Sequence, residues 1–256
     1  MSPLAMVWHQ FRFDQKIFWR NPPAVGFTVM FPVIFLVLIA TIGSGSTIHT
    51  NGGISLDSYF VPAVLALALV SATMINLAMN LTIAREDGIL KRGRGTPLPP
   101  WVFIAGRAGN AIVVSLLMVA LVGAIGGLVY GVRIPWSQAG EVLATTVVGA
   151  ASFCVLGTAL SGLIPSREAA APITQLIAFP LYFISGVFIP QNEIPSGVLT
   201  VASVFPVRPL FQCFFAAWVP SAASFDWGHL AVVAAWGAAA LVIALRTFRW
   251  TPRAAS

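Results

Sequence analysis

Long uncharged apolar stretches alternate with short polar segments along this chain. A hydrocarbon core of about 30 Å requires about 20 apolar residues in a helix, and six stretches come close to that length. Because lipid offers the backbone no hydrogen-bond partners, each stretch is predicted to be a helix. The six predicted spans are Ala24–Ile42, Phe60–Ala84, Ala108–Tyr130, Val142–Ile164, Ala171–Ile189 and Gly228–Leu245.

The segment before the first span, residues 1–23, has a two-sided helical pattern. His9, Arg12, Lys16 and Arg20 fall on one face, and large apolar residues fall opposite. This pattern is typical of a helix that lies on a membrane surface with its basic groups toward anionic headgroups. A disordered basic leader is the alternative.

Another apolar segment, residues 190–227, is interrupted by prolines. Its pieces of about ten residues are too short to cross a bilayer, yet their aromatic content is unsuited to water. Short re-entrant or interfacial helices before the last span are therefore predicted.

Composition supports a membrane protein, and the charges orient it. Only 9% of residues are charged, against about 25% in a typical soluble domain. The net charge of +6 could suggest nucleic acid, but the basic residues follow the topology instead. Under the positive-inside rule, their side is cytoplasmic, so both termini are predicted inside. That side holds Arg12, Lys16, Arg20, Arg85, Lys91, Arg92, Arg94, Arg107, Arg167, Arg246, Arg249 and Arg253, and the other holds Arg133 and Arg208.

Motifs for catalysis are not found in the sequence. Neither Lys16 nor Lys91 lies in a phosphate-binding G-x-x-x-x-G-K-[ST] loop, and the three histidines form no metal-binding pattern. The predicted spans contain only mild polar groups. Asn76, Asn80 and Gln175 are candidates for lining a transport path, and hydrogen bonding between helices is the alternative. No catalytic residue, metal site or bound cofactor is predicted.

Small residues recur at four-residue spacing in two predicted spans. Gly123, Gly127 and Gly131 follow one helical face, and Gly157 and Ser161 follow another. Such spacing allows helix backbones to approach closely, either inside one chain or between two chains.

The loop after the second span carries the most specific signal. It reads R-E-D-G-I-L-K-R-G-R-G-T-P-L-P from Arg85 to Pro99, with acidic residues first and basic residues last, as suits a short helix. Its segment 85–95 resembles the coupling helix of the type-2 permeases of ATP-binding-cassette exporters, a family that includes daunorubicin-resistance and polysaccharide-export permeases. The resemblance extends over the whole chain, including S-G-V-F-I-P at Ser185–Pro190 and P-V-R-P-L at Pro206–Leu210. Gly93 departs from the family, where a larger apolar residue is expected.

The resemblance implies a division of labour between subunits. ATP and Mg would be bound by a separate ATP-binding-cassette ATPase, and two permease subunits, identical or related, would enclose the path. The residues implied to contact the ATPase are Arg85, Glu86, Asp87, Ile89, Leu90, Lys91, Arg92 and Arg94. The aromatic residues implied to gate the outer exit are Phe205, Phe211, Phe214 and Phe215.

The sequence therefore predicts an all-α integral membrane protein. Residues 1–256 form one transmembrane domain with six spans, in the inner (plasma) membrane and in contact with its lipids. The predicted function is outward transport of a drug-like, lipid-like or glycan substrate. A membrane-embedded enzyme acting on lipids and a non-transporting assembly protein are the alternatives.

Overall fold

The computed structural model describes residues 3–43, 47–48, 54–90, 99–219 and 224–247. Helices dominate this part of the chain, and the strands are one antiparallel pair, Thr47–Ile48 with Ile54–Ser55. The helices are α1 (Pro3–Trp19), α2 (Pro22–Gly43), α3 (Leu56–Val70), α4 (Asn76–Glu86), α5 (Pro100–Tyr130), α6 (Ala139–Leu163), α7 (Arg167–Ser185), α8 (Ser196–Ala202), α9 (Val207–Trp218) and α10 (Trp227–Thr247).

The centre of the fold is one long helix made of α3, a π-helical segment at Ser71–Ile75, and α4. Every residue from Tyr59 to Val70 is buried, as expected for a helix that is apolar on all sides. Helices α2, α5, α6, α7 and α9 all contact it. This central helix therefore links the packing of the other helices. Its π-helical segment is a local irregularity of a kind that is frequent at functional sites.

A helix lies at each of the six predicted spans, but not every one is long and apolar enough to cross a bilayer. Among the described residues, four helices meet that requirement: Leu56–Glu86, Trp101–Tyr130, Trp136–Leu163 and Trp227–Arg246. The bent pair α8–α9 makes five if it is counted as one span. The apolar part of α2, Thr28–Ile39, is shorter, and α7 begins with Arg167 and Glu168 and contains two prolines. Six spans therefore remain a prediction.

Two helices have bounds that differ from those of the predicted spans, each for a local reason. Helix α5 begins at Pro100, eight residues before the predicted Ala108, because Pro99 and Pro100 supply a favourable helix start. Arg107 therefore lies within a helix and not in a loop. Helix α7 ends at Ser185, before the predicted Ile189, because Gly186 takes the left-handed conformation (φ 92°) that stops a helix.

The segment predicted to be re-entrant, 190–227, is described at residues 190–219 and 224–227, and there it contains α8 and α9 with a sharp bend between them. The axes of α8 and α9 differ by 102°. The indole Nε1 of Trp236 in α10 donates a 2.7 Å hydrogen bond to the Val204 carbonyl at this bend, and Phe205 stacks on the same indole ring. The bend is thus attached to the last span.

Close approach of α6 to the central helix requires glycine. A Cβ atom at Gly157 would lie 2.6 Å from the Met74 carbonyl oxygen, in the π-helical segment. At Gly123, an added Cβ would lie 3.1 Å from the Trp218 ring. Both positions pack inside one chain, so the intramolecular alternative is the one that applies to them.

Candidate functional site

The end of the central helix is joined to the end of α6 by Arg85. Its two terminal guanidinium nitrogens donate hydrogen bonds to the carbonyls of Ser161 (2.8 Å) and Ile164 (2.7 Å), and its Nε contacts Glu86 at 2.7 Å. The last carbonyls of a helix lack partners within the helix and carry partial negative charge. Arg85 thus supplies to α6 the donors and the positive charge that its end requires.

This geometry corrects part of the predicted coupling helix. Arg85 is only 2% exposed and its guanidinium is directed to α6, so its predicted contact with an ATPase stays a prediction. Arg85 and Glu86 belong to the end of α4, and Gly88 (φ 71°) makes the turn that follows. The burial of Arg85 was not evident from the sequence, because the two carbonyls that it bonds to are more than seventy residues further along the chain.

Beyond the turn, one large apolar side chain is exposed. Ile89 is 56% exposed, while Leu90 is buried against Leu81 and Phe103. Asp87 forms a 2.8 Å ion pair with Arg167 at the start of α7, so this turn is joined to a third helix. Lys91, Arg92, Gly93 and Arg94 lie outside the described residues. The exposed part of the turn available to a partner is therefore Asp87 and Ile89.

The predicted helix in residues 1–23 is confirmed as α1, and it has three kinds of surface. The basic positions His9, Arg12, Lys16 and Arg20 are exposed. Exposed apolar residues lie on both sides of them, among them Leu4, Trp8, Phe13, Ile17 and Trp19. The remaining face packs on α5, where Gly106 and Gly109 leave room for Gln10 and Phe11. A helix with exposed basic and aromatic residues that is anchored along one face suits a membrane surface.

A cavity of about 600 Å³ lies between α1, the central helix and α5. We call it the α1 groove. Along the central helix it extends from Ala72 in the π-helical segment to Leu90 beyond the turn. It contains eight polar side chains: Gln10, Asp14, Asn21, Thr73, Asn76, Asn80, Arg107 and Asn110.

The polar groups of the α1 groove are only partly paired with one another. The Gln10 amide donates to Asp14 (3.1 Å), and the Asn80 amide donates to Asn76. The Arg107 guanidinium stacks over the Phe103 ring at 4.5 Å. Arg107 Nε and Asn110 Oδ1 are buried and have no hydrogen-bond partner. Burial raises the pKa of the Asp14 carboxyl, and this is opposed by the nearby Arg107 charge and by the Gln10 hydrogen bond.

The structure separates the residues predicted to line a path. Asn76 and Asn80 both line the α1 groove, whereas Gln175 in α7 does not. Helix α7 meets the π-helical segment elsewhere, where the Tyr182 hydroxyl and Ser71 Oγ are 3.1 Å apart. The hydrogen bond between Asn80 and Asn76 lies within one helix, so it is not the bonding between helices that was the alternative, and their role in lining a path stays a prediction.

The four aromatic residues predicted to gate the outer exit lie in two places. Phe211, Phe214 and Phe215 are buried in the main core, where Phe211 and Phe215 contact Tyr59. Phe205 lies at the bend against Trp236. Three of the four therefore face the interior of the chain in this conformation, and their role as a gate stays a prediction.

Sequence reasoning missed Asp14, Arg107 and Asn110. A signal for Asp14 was present, because at 100° per residue it lies between Gln10 and Phe18 on the side of α1 that is otherwise apolar. An acid on an apolar face indicates a buried partner or a polar cavity. Arg107 was counted only as a topological charge, since α5 was expected to begin after it.

The sequence was compared with known proteins. The profile of the ABC-2 type transporter family matches residues 4–218. The chain belongs to the ABC-2 type transporter family. It is similar to the probable multidrug ABC transporter permease YbhR of Escherichia coli strain K12 and to that of strain O157:H7, with 23% identity over 159 residues in each case. This match covers 62% of the chain and 43% of each relative, so the chain spans less than half the length of these curated relatives.

Family membership and the apolar helices together establish a multi-pass membrane protein of the transporter permease type. The resemblance identified from the loop after the second span is thereby confirmed. Members of an ABC-2 permease family work with an ATP-binding-cassette ATPase, and the permease is typically not the catalytic subunit.

Proposed function

We propose that this chain is the membrane subunit of an exporter that moves drug-like amphiphiles outward, driven by ATP hydrolysis on a separate ATPase. The word multidrug in the relatives' name favours this substrate class over a glycan. ATP and Mg belong to the ATPase in this proposal. Two permease subunits, a second copy or a related chain, enclose the path in the inner membrane, and both termini are cytoplasmic.

The coupling part of this proposal rests on one observation: exposed Ile89 follows buried Arg85 at the end of α4. Ile89 offers the ATPase an apolar contact at the turn after α4. Four residues earlier, Arg85 attaches the same turn to α6, and Asp87 attaches it to α7. A displacement of the turn would therefore act on three helices at once and would reach the π-helical segment along α4.

The predicted division of the chain into two sides is supported by which residues lie together, and the positive-inside rule assigns the basic side to the cytoplasm. Arg85, Asp87 and Arg167, all predicted to be cytoplasmic, meet at one end of the helices. Tyr59, Gly186 and Gln191, near the ends predicted to be outside, meet at the other, where the Tyr59 hydroxyl donates to Gly186 (2.7 Å) and accepts from Gln191 (3.0 Å).

The coupling contact is tested by changing Ile89 without disturbing the fold. Ile89→Asp removes exposed apolar area, and a contact at the centre of an interface can lose about 2 kcal/mol or more. We expect weaker retention of the ATPase with unchanged membrane insertion. The control is Trp136→Ala, at a residue that is 79% exposed in the connection before α6. Wild-type ATPase retention by Ile89→Asp would contradict the proposed contact.

The proposal that a separate subunit hydrolyses ATP has its own test. The purified chain, freed of any ATPase, is expected to hydrolyse no ATP. Stoichiometric hydrolysis by such a preparation would contradict the proposal that the nucleotide site lies on a partner.

A further inference from the structure

The α1 groove has the size and shape of a binding site for an elongated molecule. Its volume of about 600 Å³ lies within the range of about 300–1,000 Å³ that ligand pockets occupy. Along the central helix, the residues from Ala72 to Ala84 span roughly 18 Å at about 1.5 Å per residue. A compact ligand would fill only part of that length, whereas an extended chain with a polar head would follow it.

Polar atoms in the groove require a partner that the described residues do not supply. Arg107 Nε is a donor and Asn110 Oδ1 is an acceptor, and both are buried and unpaired. They are three residues apart on α5, which places them on the same side of that helix. Buried polar atoms without partners destabilise a fold. Both side chains also line the groove, so a ligand head that carries acceptor and donor atoms can bond to their guanidinium and amide groups there.

The charge of the groove selects among ligand heads. Among the described lining residues, Asp14 is the acid and Arg107 is the base, so their charges cancel. A ligand with net charge would meet one attraction and one repulsion, while a zwitterionic or neutral head can face both groups. The amide groups of Asn76 and Asn80 add further donors and acceptors that suit an uncharged polar head.

Apolar walls continue from this polar region. Phe13 and Ile17 line the groove from α1, yet each is about half exposed, at 54% and 50%. Apolar side chains that line a cavity provide the surface to which the apolar part of a ligand binds. Since α1 has the features of a helix on the membrane surface, the groove lies beside lipid on that side.

We infer that the α1 groove binds a single-chain amphiphile with a zwitterionic or neutral head, taken from the leaflet in which α1 lies. Its head contacts Asp14, Arg107, Asn110 and the Asn76–Asn80 pair, and its chain lies against Phe13, Ile17 and the central helix. The role of the groove as the first binding site of an exported substrate rests on the proposed function. Binding of the amphiphile itself does not require the ATPase.

Photo-crosslinking to the purified full chain tests this inference. The probe is a lysophosphatidylcholine with a diazirine in its chain, used in micelles of digitonin, which has no alkyl chain, and in phosphatidylcholine nanodiscs, with crosslinked peptides located by mass spectrometry. We expect labelling concentrated on α1, α4 and α5. Dodecylphosphocholine should compete better than dodecyl sulfate or dodecyltrimethylammonium.

Matched variants separate specific from general labelling. Ala84→Phe fills the groove, and Ala238→Phe makes the same change on the exposed side of α10. We expect Ala84→Phe to reduce groove labelling by at least about tenfold and Ala238→Phe to leave it unchanged. Asn76→Leu combined with Asn80→Leu should weaken competition by the zwitterion. If instead labelling is spread evenly over lipid-facing helices and is unaffected by Ala84→Phe, the inference is wrong.

Two further comparisons identify the molecule that occupies the groove. Equal labelling in nanodiscs and in micelles would show that the groove selects the single-chain amphiphile and would support the inference. Labelling that is abolished in nanodiscs would show that the two-chain phospholipid occupies the groove and would overturn the single-chain assignment. Complete loss of labelling when the ATPase binds without nucleotide would show that the groove receives a segment of that protein, which would overturn it. ATP-driven transport that persists without any groove labelling would overturn this inference and leave the proposed function intact.

Discussion

Arg85 donates a 2.7 Å hydrogen bond to the carbonyl of Ile164, which joins the end of the central helix to the end of α6. With its second bond to Ser161, the buried guanidinium fixes the separation of two helices at the end where the turn with Ile89 emerges. The same contact closes the carbonyl end of α6 and holds the turn that is proposed to meet the ATPase.

Replacing Arg85 by alanine should therefore destabilise the chain. Hydrogen bonds to charged groups contribute about 1.5–3 kcal/mol each, and the carbonyls left behind are buried, so we expect a loss of about 3 kcal/mol. Arg85→Lys should recover only part of it, because one ammonium cannot reproduce the planar fork of donors. Thermal unfolding midpoints in detergent measure both changes.

The control for this change is Arg133→Ala, at an exposed arginine in the connection between α5 and α6. Substitutions at exposed positions usually change stability by about 0.5 kcal/mol or less. If Arg85→Ala and Arg133→Ala unfold at the same temperature, Arg85 does not hold the two helices together.

Gly157→Ala should disturb the contact between α6 and the π-helical segment. The added Cβ would lie 2.6 Å from the Met74 carbonyl oxygen and 3.0 Å from its Cα, and backbone atoms cannot move aside cheaply. Overpacking of this kind costs about 1–3 kcal/mol. Gly140→Ala, where nothing lies within 4 Å of the added Cβ, should be neutral or slightly stabilising. Equal unfolding midpoints for the two variants would argue against the close approach.

Tyr59→Phe should loosen the outer end of the fold. It removes the hydroxyl that bonds to both Gly186 and Gln191, at about 0.5–1.5 kcal/mol for each bond. The native Cys213 in α9 is 1% exposed and reports on this region. In a Cys154→Ala background, we expect faster thiol labelling of Cys213 in Tyr59→Phe than in Tyr130→Phe. Identical labelling rates would show that the Tyr59 hydroxyl does not restrain α9.

Membrane embedding of the outer segment is best tested at Val201. Phe214, in the same segment, is fully buried by the protein itself and would resist labelling in either environment. Val201 is 59% exposed, so lipid is what would protect it. A cysteine there, with Cys154 and Cys213 replaced, should react with a bulky polar reagent more slowly than a cysteine at Arg133. Equally fast reaction would indicate an ordinary aqueous loop.

The sequence predicted what depends on local pattern and missed what depends on distant contacts. Apolar runs placed a helix at each predicted span, the two-sided pattern of residues 1–23 predicted α1, and prolines divided the segment that contains α8 and α9. The burial of Arg85 could not be predicted in the same way, since it follows from the folding of α6 against α4. The π-helical segment at Ser71–Ile75 likewise has no sequence signal that we recognised.

The candidate site was predicted only in part. Asn76 and Asn80 were identified because polar residues are costly in an apolar span. Their neighbours Asp14 and Arg107 come from helices on either side of the groove, and one was assigned to a surface helix and the other to a loop. A site built from three separate segments is not evident from any one of them.

The central claim is that this chain moves substrate only together with an ATPase that contacts the turn at Ile89. The most direct measurement is uptake of a fluorescent zwitterionic amphiphile into inside-out vesicles that contain the chain and its ATPase. The account predicts ATP-dependent uptake that is absent when either protein is left out. Because Ile89 also lines the α1 groove, it predicts strongly reduced uptake by Ile89→Asp at equal chain content and equal groove labelling. Uptake that proceeds at the wild-type rate without the ATPase, or with ATP hydrolysis blocked, would contradict it.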